Sequence, residues 1–368
     1  MKATAMVLEK FGAPLKPREF EIPRLSDGEV LIRLTASGIC GSDVHIARGE
    51  DPRTPLPMII GHEGVGVVED ICGAKNSLEG EKLSAGDAVI WDRGLPCGEC
   101  WACVVEKEPA LCASRRTYGI SVPCSEFPYL NGCYATHLIL RKGAHILKIK
   151  DKIDHGSLVA ASCSGATVAH AFEQVSLRQG ASVVVQGPGP LGAFAVDFAL
   201  AKGAAQVILI GATASRLEIC KAMGAAAALD RRATTEEERR QFIFDATAGR
   251  GADLVFESTG TVAGVKEGLA LVRRGGTYLS AGVAVPEGTV DIDWFDITRR
   301  NIRIQCSWVS SASHLVQAVA RVLARPEAYA KLVTHRFRLE QANEALAAVA
   351  DKQAMKVIFN LPECGVTR

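Results

Sequence analysis

Cys97, Cys100, Cys103 and Cys112 follow one another as C-x2-C-x2-C-x8-C. Four thiolates this close suit a closed tetrahedral zinc site of the structural kind. A zinc-ribbon contact to nucleic acid would call for basic residues within the cluster, and few are there. A second set is dispersed along the chain. Cys40 lies in GICGSDVH (38–45), His62 in GHEGVG (61–66) and Cys163 in ASCSGAT (161–167). Taken singly, each would ordinarily be a buried small thiol or a structural histidine. Together they offer a metal three protein ligands and an open fourth position, which is what Lewis-acid catalysis needs. The competing chemistry makes Cys40 or Cys163 a nucleophilic thiol that needs no metal.

A third group binds phosphate. GPGPLG at 187–192 matches G-x-G-x-x-G, follows the apolar run SVVVQ and opens the Ala-rich stretch LGAFAVDFAL. In that context Gly187 makes the tight turn and Gly189 lets a pyrophosphate approach the backbone. Gly192 allows helix and strand to pack, with Pro190 and Leu191 between them at the helix start. The helix N-terminus offers amide groups and positive dipole to the phosphates. The next strand, QVILIG, ends at Gly211, where an acidic residue would select NAD by bonding the ribose 2′-hydroxyl. No carboxylate follows until Glu218, and Thr213, Ser215 and Arg216 are suited to a 2′-phosphate. The expectation is NAD(P), with NADP favoured. The alternative has Arg216 touching only an adenosine ribose.

The elements that must position these groups fall into two textures. The first ~150 residues hold short β-branched runs between Gly and Pro, with no sustained helical period. They include EVLIRLTASG (29–38), GVGVVEDI (64–71), DAVIW (87–91) and ATHLIL (135–140). From about residue 165, all-apolar strands alternate with helical stretches, which implies an α/β doubly wound parallel sheet. HLVQAVARVLA (314–324) predicts a helix and AMKVIFN (354–360) a closing strand.

The 368 residues carry a net charge of +1 and 23% charged side chains, which points away from nucleic acid and anionic membranes. MKATAMVLEKFG has no apolar signal core and no apolar run is long enough to span a bilayer, so a cytoplasmic protein is expected. In a reducing compartment twelve cysteines favour metal over disulfides.

GICGSDVH, GHEGVG, the cysteine lobe, CSGAT and VVVQGPGPLG, in this order, resemble the zinc-dependent alcohol dehydrogenases of the medium-chain dehydrogenase/reductase superfamily. The likeness covers essentially the whole chain. It implies a GroES-like β-rich catalytic domain at 1–164 with 309–368, including a structural zinc lobe at 93–115, a Rossmann domain at 165–308, two Zn2+ per chain and a homodimer or homotetramer. By the same resemblance Cys40, His62 and Cys163 hold a catalytic zinc, and Glu63 stands behind it and transiently coordinates. Asp43 orients the ligand histidine. Ser42 bonds the substrate alcohol, and the proton passes from it by way of the cofactor ribose to His45. Thr167 touches the nicotinamide, Lys356 reaches the pyrophosphate, and Gly282 and Val283 complete the cofactor contacts. The chain departs from the resemblance at Arg93, where simple alcohol dehydrogenases commonly carry an apolar pocket residue, in the lobe spacing and in the long stretch 118–137. Trp91 and Arg93 are therefore expected to line a pocket for a polar or anionic alcohol; the alternative turns Arg93 to solvent or onto Asp92. Overall the expectation is reversible oxidation of a secondary, cyclic or functionalised alcohol, with polyol and threonine dehydrogenases as near alternatives. A metal-free quinone or enoyl reductase would lack both cysteine sets, and an inactive binding protein would show gaps among the ligand positions.

Overall fold

The computed structural model describes residues 1–283, 285–286, 288–352 and 354–361. The chain divides into two compact units, Met1–Ala166 with Ser310–Arg368, and Thr167–Val309.

In the first unit the sheet that positions the metal ligands has seven strands. Its order is Ile146–Lys148, Ala88–Trp91, Glu63–Ile71, Val30–Ile39, Lys356–Asn360 and Val333–Phe337, with His137–Leu140 also pairing to Val30–Ile39. The long central strand is VLIRLTASGI, whose β-branched and leucine side chains fill the core of this unit. At its end Gly38 is opposite Glu63 on one side and Ile358 on the other. A side chain at 38 is impossible: a Cβ there would sit 2.1 Å from Glu63 Oε2. A three-stranded sheet orders Lys16–Glu21, Lys2–Leu8 and Met58–Ile59, and Gly94–Leu95 pairs with Arg116–Thr117 to tie off the cysteine lobe.

Two features of this unit differ from the sequence reading. GSDVHIAR, at Gly41–Arg48, is a helix where only β-rich structure was expected. Its eight residues are too few to show a period; it is built by its ends. Cys40 is the N-cap residue, with its backbone N–H donating to Asp43 Oδ2 at 2.8 Å, and Gly49 closes it at φ +81. Strand Val333–Phe337, VTHRF, has three exposed polar residues at its centre and also gave no apolar signal.

The second unit is a six-stranded parallel sheet. Across it run Ala227–Asp230, Gln206–Gly211, Ser182–Gln186, Ala252–Glu257, Val272–Ser280 and Arg303–Cys306. That is the doubly wound order, with its switch point between Ser182–Gln186 and Ala252–Glu257. The apolar strands SVVVQ and ADLVFE lie almost wholly buried in it, as covering by helices on both faces requires. Among the described residues no helix is long and apolar enough to cross a membrane.

Candidate active site and metal centres

The donor atoms of Cys40, His62, Glu63 and Cys163 lie within 4.8 Å of one another, as do those of Cys97, Cys100, Cys103 and Cys112. Both groupings fit a metal. Cys40 and Cys163 sulfurs are 3.9 Å apart, and in the lobe Cys97 and Cys103 are 4.0 Å apart. Sulfurs at two corners of a tetrahedron with ~2.3 Å metal bonds stand about 3.8 Å apart. His62 Nε2 is buried and has no hydrogen-bond partner among the described residues, the condition of a ligand atom awaiting an ion.

Each ligand is placed by a different device. Cys40 leaves the end of the central strand and begins the helix. His62 precedes strand Glu63–Ile71, held by Gly61, whose φ of +89 and contact with the Tyr134 ring exclude a side chain. Cys163 ends the 3-10 turn Val159–Ser162, which packs on the same sheet.

Behind the ligands is a fully buried polar layer. Asp43 Oδ1 lies 3.2 Å from His62 Nδ1, which leaves Nε2 to face the metal position. Asp43 Oδ2 accepts from the Cys40 amide and, at 3.2 Å, from the Tyr134 hydroxyl. Burial disfavours a charged His62 ring, but Asp43 and Cys40 outweigh it and lift its pKa to about 9. Cys40 is held well below the ordinary thiol range, chiefly by its hydrogen bond from Cys163 and then by His62, against burial. Cys163 moves the other way, because it donates to Cys40 and is buried.

Lys356 has a partner that the sequence did not suggest. Its ammonium is 2.5 Å from Glu63 Oε2 and donates to the Ile39 carbonyl at 3.1 Å, with 2% of the side chain exposed. Burial would discharge it, but Glu63 and Cys40 more than offset that and raise its pKa. It meets Glu63 because its strand pairs with Ile39 directly beside Gly38. The Trp91 ring is packed in the core, beside Gly64 and Cys133. Arg93 is buried with its guanidinium donating to Cys163 Sγ, so the solvent-facing alternative does not describe it.

Ser42 and His45 lie three residues apart on the helix, on one face. His45 Nδ1 meets Glu50 Oε2 at 2.5 Å and is 29% exposed. Glu50 and Tyr134 were missed by sequence reasoning. Glu50 was findable, lying just past the helix-ending Gly49; Tyr134 had no local signal.

In the cysteine lobe, Cys97 Sγ accepts the Cys100 amide and Cys112 Sγ the Cys97 amide, both at 3.3 Å. Backbone N–H donors, those of Glu99 and then Cys100, pull Cys97 down to about 6. The eight-residue spacer passes through Lys107 at φ +58 and the 3-10 turn Pro109–Leu111.

In the second unit Gly187 turns at φ +105 off the end of its strand, and helix Pro190–Ala201 begins after Gly189. A Cβ on Gly192 would lie 1.9 Å from the Gly187 carbonyl, whereas one on Gly189 would meet nothing within 4 Å. Leu191 is half-buried on the first turn. Gly211 ends its strand against Pro188, 2.5 Å from where a Cβ would stand. No carboxylate fits at 211 without displacing the glycine loop. Helix Ala214–Ala222 follows with Thr213 as its N-cap residue, Ser215 exposed and Arg216 half-buried. Gly282 packs on Ser258 and Gly260 beside the loop, Val283 is partly exposed, and Thr167 lies on helix Ser164–Glu173.

The alcohol dehydrogenase GroES-like domain family matches residues 26–151, and the zinc-binding dehydrogenase family residues 190–325. The 5-exo-hydroxycamphor dehydrogenase of Pseudomonas putida is 32% identical over 339 residues, 90% of this chain and 92% of that one. An alcohol dehydrogenase from Thermotoga maritima superposes with a TM-score of 0.95 at 46% identity, covering 98% of this chain and 99% of its own. A protein described as a zinc-binding dehydrogenase from Sinorhizobium meliloti, bound to NADP, gives 0.86 at 26% identity, covering 98% and 99%. The chain belongs to the zinc-dependent alcohol dehydrogenases of the medium-chain dehydrogenase/reductase superfamily. It is an oxidoreductase acting on CH–OH groups.

Proposed function

We propose that the protein interconverts a secondary, cyclic or functionalised alcohol and its carbonyl compound, using NADP in preference to NAD. The observation that carries this is the Cys40–His62–Cys163 cluster with Asp43 behind its histidine, in a chain that also holds the Gly187–Gly192 loop. Zn2+ at this cluster supplies Lewis-acid polarisation of an alcohol oxygen, and a nicotinamide supplies the hydride acceptor. Cys40, His62 and Cys163 hold the metal, and Asp43 keeps His62 Nε2 free to face it. Ser42 Oγ receives the hydrogen bond of the substrate hydroxyl. His45 stands at the half-exposed end of the same helix, where its Nδ1 can pass a proton to Glu50 Oε2. Oxidation thus sends two electrons with one hydrogen to the cofactor and one proton to solvent. Gly187, Gly189 and Gly192 form the pyrophosphate turn, and the second zinc holds the cysteine lobe.

Cyclic secondary alcohols are favoured by the relative named for hydroxycamphor. NADP is favoured by the sterically closed Gly211 position, by Arg216 and by the NADP in the Sinorhizobium meliloti relative. Assembly into a homo-oligomer in the cytoplasm completes the reading. It is supported by the edge strand Arg303–Cys306 and the exposed Trp294 and Phe295 on the second unit. Reduced-nicotinamide absorbance, with primary, secondary, cyclic and polyol alcohols against NAD and NADP, tests it. Turnover of cyclic secondary alcohols with NADP is expected. Turnover confined to primary alcohols, or faster with NAD, refutes the corresponding part.

A further inference from the structure

A fully buried guanidinium against a metal-ligand sulfur has no place in the chemistry described so far. Arg93 is 6% exposed, and its guanidinium donates to Cys163 Sγ. Cys163, Cys40, Asp92 and Glu63, all anionic when ionised, favour its charged form. Its backbone is fixed where the strand Ala88–Trp91 passes into the lobe ribbon, with the Tyr118 amide donating to the Arg93 carbonyl at 3.0 Å. The neighbouring Asp92 accepts the Gly94 amide at 3.0 Å and lies 3.6 Å from Arg115. Arg115 in turn donates to the Ser310 carbonyl at 3.1 Å and lies over Gly94, where a Cβ would be 2.0 Å from its guanidinium. Arg93 is thus locked, and Asp92 already has Arg115 as counter-ion.

Charge arithmetic gives this position a consequence. Two thiolates neutralise a divalent ion, and Lys356 neutralises Glu63. Arg93 adds a further positive charge at the sulfur it touches. An N–H donor on a thiolate draws electron density away from the metal–sulfur bond, leaving the metal more electron-poor.

We infer that Arg93 is a positioning residue that acts through Cys163, setting how strongly this sulfur donates to the catalytic metal. The inference rests on the metal reading of Cys40, His62 and Cys163. Charged guanidinium is suited to it, because it keeps its proton in a buried site where a lysine could lose one.

Cobalt substitution tests this without any substrate. Co2+ is loaded into the wild-type protein, Arg93→Met and Arg93→Gln, and the sulfur-to-cobalt charge-transfer absorption is recorded. The cysteine lobe binds cobalt too, and its band serves as an internal reference. The expected result is a shift of the catalytic-site band to longer wavelength in Arg93→Met. Arg93→Gln, which keeps an N–H donor without charge, shifts it less, and the lobe band stays in place. A catalytic-site band unmoved in both variants overturns the inference. If Arg93→Met fails to take up cobalt at this site, Arg93→Gln decides alone by the same criterion. A wild-type spectrum with only the lobe band overturns the metal reading itself, a different outcome from a bound ion whose band does not move.

Discussion

Lys356 and Glu63 meet at 2.5 Å beside Gly38, with almost nothing of either side chain exposed. They arrive from opposite neighbours of one strand, and only a glycine between them leaves room. A buried ion pair owes its worth to completeness. Removing one partner leaves the other charged in a poorly solvating interior, at a cost of about 3–5 kcal/mol. Lys356→Met is expected to lower unfolding free energy by about that much. Adding Glu63→Gln to Lys356→Met should restore part of it. Denaturant titration of the three proteins measures both effects.

Asp43 fixes the ring of His62 and is itself held by Tyr134 and the Cys40 amide. Asp43→Asn is expected to weaken metal binding at the catalytic site by about 10–100-fold. Tyr134→Phe should weaken it less, since the carboxylate stays. Chelator competition with zinc reads both, and an Asp43→Asn protein that keeps its zinc as tightly as wild type contradicts the assignment.

Metal uptake should release a proton from His62. Its pKa is raised to about 9, so in zinc-stripped protein the ring is protonated below that pH and an entering ion must displace the proton. A raised pKa means the competition is strongest at low pH. The His62 contribution to zinc affinity therefore climbs as pH rises towards about 9 and levels off above it, while Cys163, whose thiol is pushed well up, adds a further rise at higher pH. Calorimetry in buffers of different ionisation enthalpy counts the protons released. In Asp43→Asn the His62 part of the rise should move to lower pH, because the largest charge raising its pKa is gone.

The glycine loop separates folding from binding. Gly192→Ala forces a methyl to 1.9 Å from the Gly187 carbonyl, so both thermal stability and cofactor affinity should fall. Gly189→Ala meets nothing in the protein and its φ of −88 suits alanine. It should leave the melting temperature unchanged and weaken dinucleotide binding about tenfold or more, ~1.4 kcal/mol. Fluorescence titration with reduced cofactor, beside a thermal melt, distinguishes the two.

What could be foreseen depended on whether a residue's partners were local. The strand QVILIG has the bounds its apolar run suggested, and GPGPLG sits between strand and helix because six consecutive residues carry the whole turn. The helix Glu236–Ala246 starts at a Thr235–Glu238 capping box, likewise a device confined to four residues. Cys40, His62 and Cys163 could be proposed from type and motif alone. The fate of Lys356 could not, because Glu63 becomes its partner only through the register of two strand pairs. Arg93 is unusual in type, but its direction follows from Cys163, 70 positions further on, which no local pattern announces. Tyr134 reaches Asp43 across 91 positions, a contact no periodicity carries.

The strand Lys356–Asn360 lies between Val30–Ile39 and Val333–Phe337, and it delivers Lys356 to the Glu63 carboxylate. During vectorial synthesis, then, the ligands at 40, 62 and 163 emerge long before their electrostatic support. Until residue 360 leaves the ribosome, the central strand has an open edge and Glu63 lacks its counter-charge. A message truncated before codon 356 would yield a chain with every metal ligand and an incomplete sheet. The open edge at Ala36–Ile39 then distinguishes an unfinished chain from a finished one.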